Sequence, residues 1–121
     1  MKRRVVITGL GIVSPVGNDL STAWDNIVNG RSGITRITRF DPSALTAHIA
    51  GEVKGFDVTH YMSAKDARQM DTFIHYGLAA GMQAWRDCGL EVTEANAERI
   101  GVIVGSGIGG LPRIEETNAE M

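Results

Sequence analysis

Few residues in this chain combine a type and a spacing that invite chemistry, and each also has an ordinary structural use. Gly105, Gly107 and Gly110 reproduce the G-x-G-x-x-G spacing in which glycines let a backbone approach a pyrophosphate at a helix start. The run follows the β-branched segment Ile100 to Val104 and precedes a helix beginning near Pro112, so its context also fits. Two features oppose a nucleotide. A tight strand-to-helix turn requires glycines on steric grounds alone, and the acidic residue expected about 20 positions later would fall past Met121. The earlier run has Gly9 and Gly11 but Ser14 where a third glycine belongs. Leu111 and Pro112 stand where a Walker-type phosphate loop needs Lys and Ser or Thr.

Cys88 is the single cysteine. It falls near the end of a helical pattern, whereas a reactive thiolate gains most from a helix start or an adjacent cation, so an inert thiol is expected despite Arg86 nearby. His48, His60 and His75 are too scattered for a local metal site, and no second cysteine joins them. Lys65 and Arg68, three residues apart, share a helix face as a small basic spot. Asp66 and Asp71 close by make a solvated face the plain reading from the residues alone. Ile108 is a branched apolar residue inside a glycine-rich turn, placed either to plug a core or to line a pocket.

Composition narrows the classes. The 121 residues are 43% hydrophobic and 21% charged, the range of one globular domain, and residues 1–121 show no internal boundary. A domain of this length buries roughly two thirds of its unfolded surface. A formal charge of −2 without a basic cluster argues against nucleic acid. One cysteine excludes an intrachain disulfide, and cytoplasm is the expected compartment. Lys2-Arg3-Arg4 followed by Val5 to Val16 imitates a secretory signal, but Gly9, Gly11 and Pro15 interrupt it. The longest uncharged stretches fall short of the roughly 20 residues that span a bilayer, so no membrane segment is expected.

These residues must be positioned by elements of two periods. Arg4 to Gly9 lacks the alternation of a half-wet strand and reads as a buried parallel-type strand. Asn18 is the expected cap of a short amphipathic helix carrying Leu20, Trp24, Ile27 and Val28, stopped by Gly30 in a left-handed conformation. Residues 31–61 form a long excursion with one minor strand. Ser63 to Asp66 has the form of a capping box, and one long helix is expected to follow to Gly89, with an apolar stripe through Phe73, Ile74, Leu78, Met82 and Trp85. Gly77 and Gly81, with Ala80 and Ala84, keep its surface low for another backbone. Thr93 caps a brief turn through Ala97, residues 100–105 repeat the first strand, and a helix starts at Pro112. The order implies an α/β layer with parallel strands.

Val5 to Asn18, Gly30 to Ile34, Asp71 to Gly77 and Gly105 to Leu111 are then recognisable together. Across all 121 residues the chain closely resembles the amino-terminal part of the type II β-ketoacyl-acyl carrier protein synthases, fatty-acid condensing enzymes of the thiolase superfamily. Ile108 favours type II, since type I relatives tend to have glycine there. The resemblance implies part of the first half of a thiolase-like αβαβα layered fold. It implies a decarboxylative Claisen condensation of acyl-carrier protein with malonyl-carrier protein to a 3-oxoacyl product, without a cofactor. The intact enzyme would be a homodimer whose core is assembled from two packed halves. By the same resemblance, the nucleophilic cysteine and both oxyanion-stabilising histidines come after the region that matches. No catalytic residue is therefore expected in this chain, which is expected to be an inactive fragment, and Cys88 does not match the catalytic position. Lys65 and Arg68 match the surface that docks the acidic carrier protein, which overrides the solvated-face reading. Gln69 stands where relatives often have another base. Ile108 matches the residue that gates the acyl-chain pocket. The alternatives are a non-catalytic carrier-protein-binding fragment and a nucleotide-binding module at Gly105 to Gly110.

Overall fold

The computed structural model describes residues 2–120. The elements in chain order are α1 (Leu20–Val28), β1 (Ile34–Arg36), β2 (Ile49–Gly51), a 3₁₀ turn (Val58–His60), α2 (Ala64–Ala67), α3 (Thr72–Cys88), a second 3₁₀ turn (Ala97–Arg99) and α4 (Leu111–Glu120).

Helix boundaries follow capping chemistry, and two differ from the expectation. Asp19, not Asn18, caps α1. Its carboxylate accepts from the Thr22 amide at 2.9 Å and the Thr22 hydroxyl at 2.7 Å, and these bonds hold the Asp19 carboxyl below the usual aspartate range. Asn18 is committed elsewhere, donating from Nδ2 to the Lys54 carbonyl at 2.7 Å. Gly30 ends the turn after α1 with φ at 66°, as the left-handed stop requires.

The expected long helix is divided. Ser63 caps α2 by accepting from the Asp66 amide, but Arg68 already ends it. Asp71 turns to extended backbone and accepts from the Thr72 amide, starting α3 afresh. An aspartate prefers this capping geometry to a helix interior, so the helix expected from Ser63 to Gly89 becomes two, and the apolar stripe from Phe73 to Trp85 belongs to α3 alone. Gly89 closes α3 at φ 61°.

The two β-branched runs behave differently from the expected strands. Residues 4–9 and 100–105 carry no strand assignment and make no ladder. The sheet present among the described residues is the antiparallel pair β1 and β2, registered Ile34 with Gly51 and Arg36 with Ile49. It lies inside the excursion expected to hold one minor strand. The Glu52 carboxylate, just after β2, holds the start of the connection that follows β1 by accepting from the Thr38 hydroxyl and amide and the Arg39 amide, which lowers the Glu52 pKa.

What takes the place of a sheet is contact with α3. Residues 9–12 lie along it so closely that a Cβ on Gly9 would overlap the Ala84 carbonyl oxygen, and one on Gly11 the Ala80 carbonyl oxygen. The amides left unpaired are met by side chains of that helix: Leu10 donates to Asp87 at 2.8 Å and Ile12 to Gln83 at 3.0 Å. Residues 102–106 run along the Gly77 and Gly81 side of α3, where Val104 reaches Gly77. The small-residue surface expected on this helix thus receives one backbone, at Ala80 and Ala84, while Gly77 meets the Val104 side chain and Gly81 stays open.

Burial is sparse. Among the described residues the buried apolar ones are Ala23, Ala67 and Ala79, while Ile7 is 80% and Ile103 99% exposed. A folded monomer of 13.0 kDa should expose about 6,300 Å², whereas this chain exposes 9935 Å². Exposed large apolar residues include Val5 to Ile7 and Val102 to Val104, Trp24 and Ile27 on α1, and Phe73, Leu78 and Trp85 on α3.

Gly11→Ala is expected to destabilise the full-length protein by about 3 kcal/mol, because a methyl group meets backbone that cannot move aside. Thermal unfolding of that variant beside Gly81→Ala, where a Cβ meets open space, checks it. An equal change in both would contradict the packing argument.

Candidate functional site

Two surfaces gather the residues singled out by sequence. The first is the short helix α2. Its Ser63 cap is closed on both sides, since the Ser63 hydroxyl also donates to the Asp66 carboxylate at 2.7 Å. Ala67 is its buried anchor, and His75 Nε2 donates from α3 to the Ala67 carbonyl at 2.9 Å. Lys65 and Arg68 are both exposed on this framework. Arg68 Nε donates to the Ala64 carbonyl at 3.1 Å, which fixes the root of its guanidinium. A frame of four helical residues therefore presents two bases with little freedom at the backbone.

The second surface is a groove along α3 of about 620 Å³, within the roughly 300–1,000 Å³ range of small-molecule sites. Phe73, Leu78, Met82 and Trp85 form its floor, and Val102, Val104 and Ser106 form one wall. Ile108 is two residues beyond that wall, 81% exposed at the bend of the glycine turn, and it does not line the groove.

The glycine turn has packing reasons for two of its glycines. A Cβ on Gly109 would overlap the Phe73 ring, and Gly110 has φ at 76° where α4 begins. Of the three glycines in the nucleotide spacing, backbone conformation thus accounts for Gly110, whereas a Cβ on Gly105 or Gly107 would meet open space.

The remaining candidates stay apart. Cys88 is half-buried at the C-terminal end of α3, and its thiol donates to the Trp85 carbonyl at 3.1 Å; a helix C-terminus disfavours a thiolate. His48 contacts the Leu45 carbonyl and His60 pairs with Asp57 at 3.7 Å, so each histidine has a local partner. Among the described residues no three His, Cys, Asp or Glu side chains converge as metal ligands, and no helix is long and apolar enough to cross a membrane.

Sequence spacing missed two contributors. Gln83 joins three parts of the chain, accepting from the Ile12 amide and donating to the Asn18 carbonyl at 2.7 Å and Tyr61 Oη at 2.8 Å. Arg113 reaches from α4 to the end of α2, donating from Nη2 to the Arg68 carbonyl at 2.9 Å. Gln83 lay on the polar side of a legible helix, whereas no local signal marks Arg113, 45 residues from its partner.

With a glycine-studded N-terminal run laid on a small-residue helix, and a glycine turn leading into α4, the chain belongs to the β-ketoacyl synthase family. The pattern described as "Beta-ketoacyl synthase, N-terminal domain" matches residues 2–121. The chain is similar to 3-oxoacyl-[acyl-carrier-protein] synthase 2 of Vibrio cholerae, with 59% identity over 114 residues, 94% of this chain and 28% of the relative. The Vibrio harveyi protein of the same name is 58% identical over the same lengths. That of Staphylococcus aureus (strain COL) is 44% identical over 119 residues, 98% of this chain and 29% of the relative. Among solved structures, "The ishigamide ketosynthase/chain length factor" aligns with TM-score 0.65 and 33% identity, covering 75% of this chain and 23% of that one. The chain thus spans less than a third of the length of these relatives.

Proposed function

We propose that this chain is the N-terminal portion of a 3-oxoacyl-acyl carrier protein synthase, which elongates fatty acyl chains by decarboxylative condensation. The observation that carries the proposal is identity of 58% and 59% to relatives named for that activity over nearly the whole chain. In this reading an acyl group passes from its carrier thiol to an enzyme cysteine. Malonyl-carrier protein then loses carbon dioxide, and the resulting carbanion attacks the thioester, returning the cysteine thiolate and a 3-oxoacyl product two carbons longer. The cysteine and the oxyanion-stabilising histidines belong to the part of the polypeptide beyond residue 121. The 121 residues supply the docking surface at Lys65 and Arg68 and the pocket gate at Ile108, and need no cofactor for either.

The same proposal covers the fold and the assembly. Residues 4–9 and 100–105 are parallel strands of a thiolase-like layered sheet in the complete polypeptide, a cytoplasmic homodimer. Their exposed branched side chains, and the open apolar groove beside α3, support this placement.

The full-length protein incubated with acyl- and malonyl-carrier protein is expected to release carbon dioxide and form 3-oxoacyl-carrier protein, read by mass spectrometry, while residues 1–121 alone give neither. Failure of the full-length protein on both short and long primers would overturn the reading.

Lys65→Glu with Arg68→Glu is expected to raise the KM for carrier-linked substrate about tenfold or more at low salt, with the difference shrinking as salt screens it. Unchanged kinetics at low salt would remove both residues from the docking surface.

Ile108→Phe is expected to lower kcat/KM for long acyl primers about tenfold relative to short ones, through lost pocket volume. Competition between a long and a short primer in one reaction measures the ratio directly, and an unaltered ratio contradicts the gate.

A further inference from the structure

The basic spot on α2 does not end with that helix. Arg113, in the first turn of α4, donates to the carbonyl oxygen of Arg68 at 2.9 Å. That oxygen belongs to the peptide joining Arg68 to Gln69, so the Arg113 guanidinium stands at the C-terminal end of α2, where unpaired carbonyls favour a cation. We infer that Arg113 is a third base of the surface that receives the acidic carrier protein, a surface assembled from α2 and α4 together. The inference rests on the docking reading of Lys65 and Arg68 proposed above.

Three observations carry it. The first is placement: a residue distant in sequence is fixed beside Arg68 by a direct bond, and all three bases are exposed. The second is that none of the three is neutralised internally. The ion pairs among the described residues are Arg31 with Asp25 and His60 with Asp57. Asp66, the acid between the two α2 bases, accepts the Ser63 hydroxyl instead. Glu115 and Glu116 follow Arg113 on α4 without reaching it as ion partners. The third is donor count: a guanidinium has five N–H donors, and the Arg68 carbonyl occupies a single nitrogen, leaving donors for a partner carboxylate. In a chain of formal charge −2, three such bases make a local reversal of sign, which steers and orients an acidic protein.

The test uses the full-length enzyme and reads a ratio, the KM for an acyl group on carrier protein divided by the KM for the same acyl group on free pantetheine. Arg113→Glu is expected to raise this ratio about tenfold at low salt, with the effect fading at high salt, and Arg113→Lys to stay within about threefold of wild type. Lys65→Glu runs beside them. A raised ratio for Lys65→Glu with an unchanged ratio for Arg113→Glu overturns the role of Arg113 and leaves the docking surface on α2. Unchanged ratios for both overturn the docking reading itself. If Arg113→Glu raises both KM values equally, the arginine serves only to hold α4 on α2, and the inference falls.

Discussion

Close approach of backbone to backbone, along residues 9–12 and α3, is the constraint on which the described structure depends. It is possible because two glycines face two alanines and because α3 offers carboxylate and amide side chains to amides that have no strand partner. An amide buried without a partner costs about 1–3 kcal/mol, so Gln83, which meets the part-buried Ile12 amide, matters to the contact alongside the missing methyl groups, whereas the Leu10 bond to Asp87 is exposed. Gln83 extends the same contact across the molecule through Tyr61. The Tyr61 ring stacks on Phe56 at 5.8 Å, and Phe56 meets Tyr76 edge-on at 5.1 Å. Tyr76 in turn accepts from Arg39 at 2.9 Å, holding the loop that follows β1. The long helix is therefore the post to which the N-terminal run and the hairpin are tied.

That post is only partly covered. An α/β layer protects both faces of its strands, and branched runs without alternation are built for such double burial. Here the runs at 4–9 and 100–105 leave those side chains in water, and the α3 stripe remains open as a groove. Surface in excess of what a monomer of this mass should show is surface shaped for burial by more protein. The share of each relative that the chain matches, less than a third, agrees with that reading.

Docking and bond making place different demands on a protein. Covalent chemistry needs a nucleophile and oxyanion donors held to within fractions of an ångström, and Cys88, at the wrong end of its helix, is not placed for it. Electrostatic reception of a charged partner acts over a Debye length of about 8 Å in physiological salt and tolerates a small platform. In the docking reading proposed above, helix α2 serves as such a platform; it is short but capped, with its end tied from both α3 and α4.

Local physics made much of this legible from the residues alone. The helix stops at Gly30 and Gly89, the Ser63 cap and the low surface of α3 follow from residue type and spacing, because caps, turns and periodic faces act over three or four positions. The same range of action explains the misses. Asn18 and Asp19 are equally good caps until Lys54 claims one of them, and Ser63 and Asp71 are both capping residues ahead of the same stripe, so the residues alone do not show that each starts its own helix. Whether residues 4–9 and 100–105 pair depends on which strands stand beside them, and that depends on chain outside these residues. Arg113 beside Arg68 depends on how the glycine turn aims α4, an angle set by Phe73 under Gly109 and by the backbone at Gly110. Residue chemistry and short spacing determined the Ser63 cap, the glycine stops and the basic pair on α2, and resemblance of whole motifs gave the family; only tertiary packing decided which distant side chains complete them, because long-range contacts leave no periodic trace in the sequence.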